Sequence, residues 1–162
     1  MNIPNPLIAH ISSLRASLFL GAGASIEAGF PSGQALAEYL AHEAGGNNIE
    51  LLAGQPLDVT SQFLFSQPGY GKAWVRDRII RLFQNKHRQI KAPFSPTHAS
   101  ILKYRWRAIF TTNFDRLIEI AYDSTPEQSV QRILPFYEPD PQLFRFDETV
   151  ARLIKLNGSV DE

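Results

Sequence analysis

Two glycines in the segment SLFLGAGAS, Gly21 and Gly23, directly follow a short apolar run that ends at Leu20. Residues without side chains at this point let backbone N–H groups approach an anion at the start of a helix. The segment therefore predicts a phosphate-binding turn. It departs from the dinucleotide fingerprint of dehydrogenases, which has glycine or alanine where this chain has Ile26. Taken alone, the glycines are explained equally well by a tight structural turn.

Two further polar segments also follow apolar runs. TTNFD, Thr111–Asp115, comes after RAIF, and KLNGS, Lys155–Ser159, comes after VARLI. Ligands of parallel α/β sheets bind at the carboxyl ends of the strands, so three polar turns in such positions predict a binding site. Asn113 and Asp115 also have a structural explanation, because either side chain could cap a helix that begins near Phe114.

Together the three segments resemble the motifs of the sirtuin family. GAGAS followed by GFP is similar to the sirtuin nucleotide-binding motif, and TTNFD looks like the block of threonine, asparagine and aspartate found in bacterial sirtuin-like NADases. KLNGS sits where these families carry histidine-glycine-serine. The resemblance covers nearly the whole chain, with the motifs in the same order. It implies an NAD glycohydrolase that converts its substrate NAD to nicotinamide and ADP-ribose without a metal.

Two departures distinguish this chain from the protein-deacylating sirtuins. PSGQ follows Phe30 in place of their aspartate, phenylalanine and arginine, and no cysteine is present for their structural zinc module. Both departures favour the NAD-hydrolysing branch, many of whose members serve in bacterial antiphage defence. By this analogy the expected partners are a second copy of the chain or a partner protein of a defence system. Nucleic acid is expected only through a partner or another domain.

The resemblance also implies roles for individual residues. Asn113 would position the attacking water or the ribose hydroxyls, Asp115 would hold the ribose or nicotinamide side, and Asn157 occupies the place of the proton-accepting histidine. Ser25 would bond a phosphate beside the backbone donors of residues 22–24, and Gly29 and Pro31 would shape the loop over the nicotinamide. The implied NAD-binding residues are Gly21, Ala22, Gly23, Ala24, Ser25, Gly29, Pro31, Thr111, Thr112, Gly158 and Ser159.

Asparagine at position 157 changes the expected activity. An amide has no group that accepts a proton near pH 7, and loss of a general base costs about 100-fold to 10,000-fold in rate. We therefore expect NAD binding with impaired turnover. The sequence leaves open whether Asn157 is native. It also leaves open a non-catalytic sensor of NAD or an ADP-ribose derivative, a redox domain that uses NAD as hydride carrier, and a scaffold in a defence assembly.

Hydrophobic periodicity predicts the elements that hold these segments. A short helix is predicted over about 6 to 14, and strands are predicted in Ser17 to Leu20, RAIFTT, SVQRIL and VARLIKL. The first strand has the compact apolar character of one buried on both faces. Helical patterns run from Gln34 to about Lys91, with breaks at GG and QPGYG, and another helix is predicted in NFDRLIEIAY, which follows RAIFTT directly.

These elements predict an α/β domain over residues 1–162, with a Rossmann-like parallel sheet, helices on both faces and a helical insertion at about 34–100. The last predicted strand ends close to residue 162, so we expect the domain to continue beyond it.

Composition excludes several classes of function. Sixteen basic and 16 acidic residues leave no net charge to attract nucleic acid or an anionic membrane. The absence of cysteine excludes disulfides and thiolate metal sites. No stretch approaches the ~20 apolar residues of a membrane span, so we expect a soluble, cytoplasmic protein. The four histidines lack metal-ligand spacing, and we expect His98 at the surface or at a helix cap.

Overall fold

The structure is a computed structural model that describes residues 4–89, 94–137 and 147–159. Within these ranges the chain forms two compact units. Residues 4–28, 94–137 and 147–159 form the first unit, and residues 29–89 form the second.

Helices alternate with parallel strands along the described chain, which makes the fold α/β. The α-helices are α1 (Asn5–Ser12), α2 (Gly23–Ile26), α3 (Gly33–Ala44), α4 (Asn48–Leu51), α5 (Leu57–Ser66), α6 (Lys72–Gln89), α7 (Pro96–Ile101) and α8 (Leu117–Ser124). The strands are β1 (Ser17–Leu20), β2 (Ala108–Thr111), β3 (Arg132–Phe136) and β4 (Val150–Lys155). A short 3-10 helix spans Pro126–Gln128.

The first unit is built on one sheet in which all four strands are parallel, in the order β1-β2-β4-β3. Helices flank this sheet, so the predicted Rossmann-like α/β class is confirmed. The order places β1, β2 and β4 side by side. These are the three strands that lead into the polar segments, and their carboxyl ends therefore share one edge.

One face of the sheet forms the core of the first unit. Leu18, Ile109 and Leu153 lie in register across β1, β2 and β4, and the last two are fully buried. The helix α8 places Ile118 and Ala121 in the same cluster, at the spacing that puts both on one helical face. Burying each leucine or isoleucine side chain contributes about 1.5–3 kcal/mol, so this packing fixes the strand ends that carry the polar turns.

One expectation for the first unit is wrong. The strand β1 is not buried on both faces, since Phe19 is 63% exposed, because β1 is an edge strand with one face against the core. The short helix predicted near the start of the chain is confirmed as α1, and its Ile11 packs against the core cluster. Whether a strand lies at an edge depends on the order of strands, which periodicity does not encode.

The boundaries of two other elements also differ from expectation. The helix α8 begins at Leu117 and not directly after Asn113, because the intervening residues form a turn that includes Asp115. The strand β3 starts at Arg132 and continues through Pro135 to Phe136. Proline, which has no backbone N–H, is tolerated there because β3 is an edge strand and one side of an edge strand has no neighbouring strand to bond.

The second unit is helical. Leu40 of α3, Leu64 of α5 and Val75 of α6 form its buried cluster. The predicted breaks are confirmed, since Gly45 and Gly46 end α3 with positive φ angles of 67° and 56°. Residues 90 and 91, the last of the predicted helical pattern, lie outside the described ranges. None of the helices in the described ranges is long and apolar enough to cross a membrane.

Candidate functional site

The carboxyl edge of the sheet brings the three polar segments together. The N–H of Thr112 donates to the carbonyl of Leu20 at 3.3 Å, which joins the ends of β2 and β1. On the other side, the N–H of Leu156 donates to the carbonyl of Thr111 at 2.9 Å and joins β4 to β2. The turns that follow these strands are therefore neighbours.

Ser25, Asn113 and Asp115 form a buried hydrogen-bonded group at this edge, which we call the polar cluster. The Asn113 amide donates from Nδ2 to Ser25 Oγ at 2.9 Å and to the carbonyl of Gly21 at 3.1 Å. Ser25 Oγ in turn donates to Asp115 Oδ2 at 2.7 Å. The side chain of Asn113 is thus held between the glycine turn and the end of β2.

These bonds determine which atoms of the polar cluster are available to a ligand. Asn113 uses both amide hydrogens, while its Oδ1 is buried and has no partner among the described residues. The Ser25 proton is committed to Asp115. The phosphate contact predicted for Ser25 stays a prediction, and as a donor Ser25 would have to give up this bond. Asp115 Oδ1 accepts from the N–H of Leu117, which fixes the start of α8.

The glycine turn leaves open space where a side chain would stand. A Cβ built on Gly21 or on Gly23 meets nothing within 4 Å, and neither residue has a left-handed φ. Neither backbone strain nor packing within the described residues therefore requires glycine at these positions. The N–H of Ala24 bonds to the carbonyl of Gly21 at 3.1 Å, whereas those of Ala22 and Gly23 have no backbone acceptor in the described chain.

The turn after β4 lies against the end of β2. Asn157 is exposed, and its Nδ2 donates to the carbonyl of Thr112 at 3.1 Å. Gly158 has a φ of 75°, a left-handed value that favours glycine, and its N–H closes the turn on the carbonyl of Lys155. Thr111 is buried, and its hydroxyl accepts from the N–H of Asn113 at 3.0 Å.

Lys155 and Glu119 form a buried ion pair that the sequence analysis missed. Their atoms Nζ and Oε1 lie 3.2 Å apart, and the side chains are 0% and 4% exposed. Burial raises the pKa of Glu119, and the positive charge of Lys155 acts in the opposite direction. A signal was present, because both residues interrupt apolar runs, and charges in such runs are buried only when paired.

His98 is 1% exposed, so the surface position expected for it is wrong, whereas its expected place at a helix cap is confirmed by its position in the first turn of α7. Ser95 caps α7, and its hydroxyl lies 2.8 Å from His98 Nδ1 and 3.4 Å from the carbonyl of Ala24 in the glycine turn. His98 Nε2 has no partner in the described ranges. Burial lowers the pKa of His98, against the opposing carboxylates of Asp115 and Glu27, so the ring is neutral at pH 7.

Two of the predicted site residues lie outside the first unit, which holds the carboxyl edge of the sheet. Gly29 and Pro31 fall in the second unit, where Gly29 has a left-handed φ of 89°. Their predicted place over the nicotinamide stays a prediction. In the ranges that the structure describes, no group of three or more His, Asp or Glu side chains could hold a metal ion.

Comparison with known proteins gives no identification: no protein-family model matches the chain, and no curated protein is significantly similar to it. The geometry at the carboxyl edge is therefore the basis for a functional proposal.

Proposed function

We propose that the carboxyl edge of the sheet binds NAD, and that the chain is a sirtuin-like NAD glycohydrolase domain whose turnover is impaired by Asn157. The observation that carries the proposal is the buried, unpaired Oδ1 of Asn113 within the polar cluster. Buried polar atoms in proteins are nearly always paired, so an acceptor fixed at a strand end in this state indicates a donor from a ligand or from a bound water molecule.

The atoms left unpaired at this edge match the chemistry of NAD. Asn113 can only accept a further hydrogen bond, and a ribose hydroxyl or a water molecule supplies a donor. The open space at Gly21 and Gly23, with the N–H groups of Ala22 and Gly23, suits a diphosphate that approaches the backbone closely.

The proposed reaction breaks the bond between nicotinamide and ribose. Positive charge develops on the ribose as the bond breaks, as in glycoside cleavage. The Asp115 carboxylate, held in place by Ser25 and by the N–H of Leu117, supplies negative charge at the same edge. A group that takes a proton from the ribose or from water is missing at position 157, because an amide is not a base near pH 7.

A second candidate function is a module that senses NAD or an ADP-ribose derivative without cleaving it. The observation that favours it is the hydrogen bond from Asn157 to the carbonyl of Thr112. This bond gives the asparagine a positioning role that needs no base. The two candidates share a binding site and differ only in what a histidine at position 157 would restore.

The experiment that tests both candidates compares the unsubstituted chain that carries Asn157, for brevity called the natural chain, with Asn157→His. Calorimetric titration measures NAD binding, and chromatography measures nicotinamide release. Asn85→His on α6 is a matched control, because it introduces the same ring at an exposed position of the second unit. We expect both the natural chain and Asn157→His to bind NAD, with release about 100-fold to 10,000-fold faster only in Asn157→His.

The alternative outcomes separate the candidates. Binding without nicotinamide release in every variant would identify the sensor and refute the glycohydrolase. Absence of NAD binding in the natural chain and in Asn157→His, with both folded by circular dichroism, would refute both proposals.

The same proposal includes a gate on the activity and a place in bacterial antiphage defence in the cytoplasm. An NAD glycohydrolase that was always active would exhaust the cell's NAD. We therefore propose that a second copy of the chain or a partner protein increases a low basal activity that the isolated chain retains. Full activity of a purified monomeric Asn157→His chain would refute the gate.

A further inference from the structure

The ammonium group of Lys155 connects three segments of the first unit. Its Nζ donates to the backbone carbonyl of Asp115, to Glu119 Oε1 at 3.2 Å, and to Ser159 Oγ at 3.3 Å. An ammonium group has three hydrogens, so each of them has one acceptor. The acceptors belong to the turn after β2, to α8, and to residues 156–159, which we call the β4 turn.

A merely structural role explains this arrangement poorly. Burying a charged pair costs more desolvation than an apolar pair of similar volume, which would pack against the same core. What apolar side chains cannot do is bond the carbonyl of Asp115 and the hydroxyl of Ser159 at the same time. Lys155 lies in register with Thr111, so this connection spans the ends of β4 and β2.

We propose that Lys155 is a positioning residue that holds the β4 turn, and with it residue 157, at a fixed place relative to Asn113 and Asp115. This inference rests on the proposed function. The bond from Asn157 to the carbonyl of Thr112 is the contact that this placement sets. Lys155 itself is buried and acts through Ser159 and through the backbone of Asp115.

The test is a double variant, Lys155→Met with Glu119→Leu, made in the natural chain and in Asn157→His. Changing both residues removes the connection without leaving an unpaired buried charge, and such apolar replacements are often neutral for stability. The matched control is Arg81→Gln with Asp77→Asn, which removes an exposed ion pair of 2.9 Å on α6. Ser159→Ala is a milder variant that removes one of the three bonds.

Two readouts are required. The first is amide hydrogen exchange of Leu156, whose N–H bonds to the carbonyl of Thr111, compared with Ile109 inside β2. We expect exchange at Leu156 to become about tenfold faster, with Ile109 unchanged. The second is turnover in the Asn157→His chain, where kcat should fall about 10-fold to 100-fold while KM stays within about threefold.

Each outcome supports or overturns the inference. Unchanged exchange at Leu156 would overturn it whatever the protein does with NAD, and faster exchange with unchanged kcat would overturn the positioning role. If the Asn157→His chain releases no nicotinamide, the glycohydrolase fails. Faster exchange at Leu156 would then still support Lys155 as the residue that holds the β4 turn. If the double variant does not fold, amide hydrogen exchange of Leu156 in Ser159→Ala decides: faster exchange supports the inference, and unchanged exchange overturns it.

Discussion

Replacing Gly23 by alanine distinguishes a phosphate-binding turn from a structural one. Gly23 is the first residue of α2, does not have a left-handed φ, and a Cβ there meets nothing within 4 Å. Alanine therefore fits the folded chain and restricts the unfolded chain. We expect the free energy of unfolding to increase by about 0.4–1 kcal/mol, the usual effect of this substitution at a compatible position.

The same substitution should weaken NAD binding. The added methyl group would occupy the space through which a phosphate reaches the N–H of Gly23. Losing one hydrogen bond to a charged group costs about 1.5–3 kcal/mol, which corresponds to about 10-fold to 140-fold weaker binding. Stability and affinity are therefore expected to change in opposite directions.

Urea denaturation and calorimetric titration with NAD measure the two effects on the same protein. Gly33→Ala is the matched control, because Gly33 also opens a helix, has no left-handed φ and has no atom within 4 Å of a Cβ. It should share the gain in stability and leave affinity unchanged. NAD affinity equal to that of the natural chain in Gly23→Ala would refute the phosphate-binding turn. A clear loss of stability would show that the turn requires glycine for folding.

Three further predictions concern single side chains. Tyr122→Phe removes a buried hydroxyl that has no partner among the described residues, so the free energy of unfolding should rise by about 1 kcal/mol; a decrease in urea denaturation would contradict this. Burial lowers the pKa of His98 below 6.5, so below that pH the unfolded chain takes up a proton that the folded chain does not, and stability falls. The urea midpoint of His98→Gln should therefore decrease less between about pH 7.5 and 5.5 than that of the natural chain, and equal decreases would refute the assignment. In Asn157→His, kcat/KM for nicotinamide release should rise with pH through about 6.5 as the new ring loses its proton. A flat profile would mean that the ring does not act as a base.

Much of the fold could be predicted because apolar spacing reports secondary structure directly. The strand Ser17–Leu20 and the helices on either side of Gly45 and Gly46 lie where periodicity places them. The start of α8 was wrong because Asp115 bonds the N–H of Leu117 and delays the helix, a choice between two local hydrogen-bond patterns. The exposure of Phe19 depends on strand order, which is set by contacts distant in sequence.

The candidate site could be predicted in position but not in its internal bonds. Polar turns after apolar runs indicated the carboxyl edge, and the structure brings residues 21–25, 111–115 and 157–159 to it. The bond from Ser25 to Asp115 joins residues 90 positions apart, and no local pattern indicates it. For the same reason the pairing of Lys155 with Glu119 was missed, although each charge stood out within its own apolar run.

Four polar side chains, of which local patterns pointed to Asn113 alone as a site residue, are buried beside the ends of the parallel strands. Burying Lys155, Glu119, His98 and Asn113 costs desolvation that a fold alone would avoid by placing apolar residues there. The pairs formed among them offset part of that cost, yet Asn113 Oδ1, Glu119 Oε2 and His98 Nε2 still have no partner within the described ranges. Sequences depart from their own folding rules mainly where function requires it. The buried polar side chains named above lie beside the turns that carry the glycines and Asn157. Their cost to folding is therefore an argument for a ligand at this edge of the sheet.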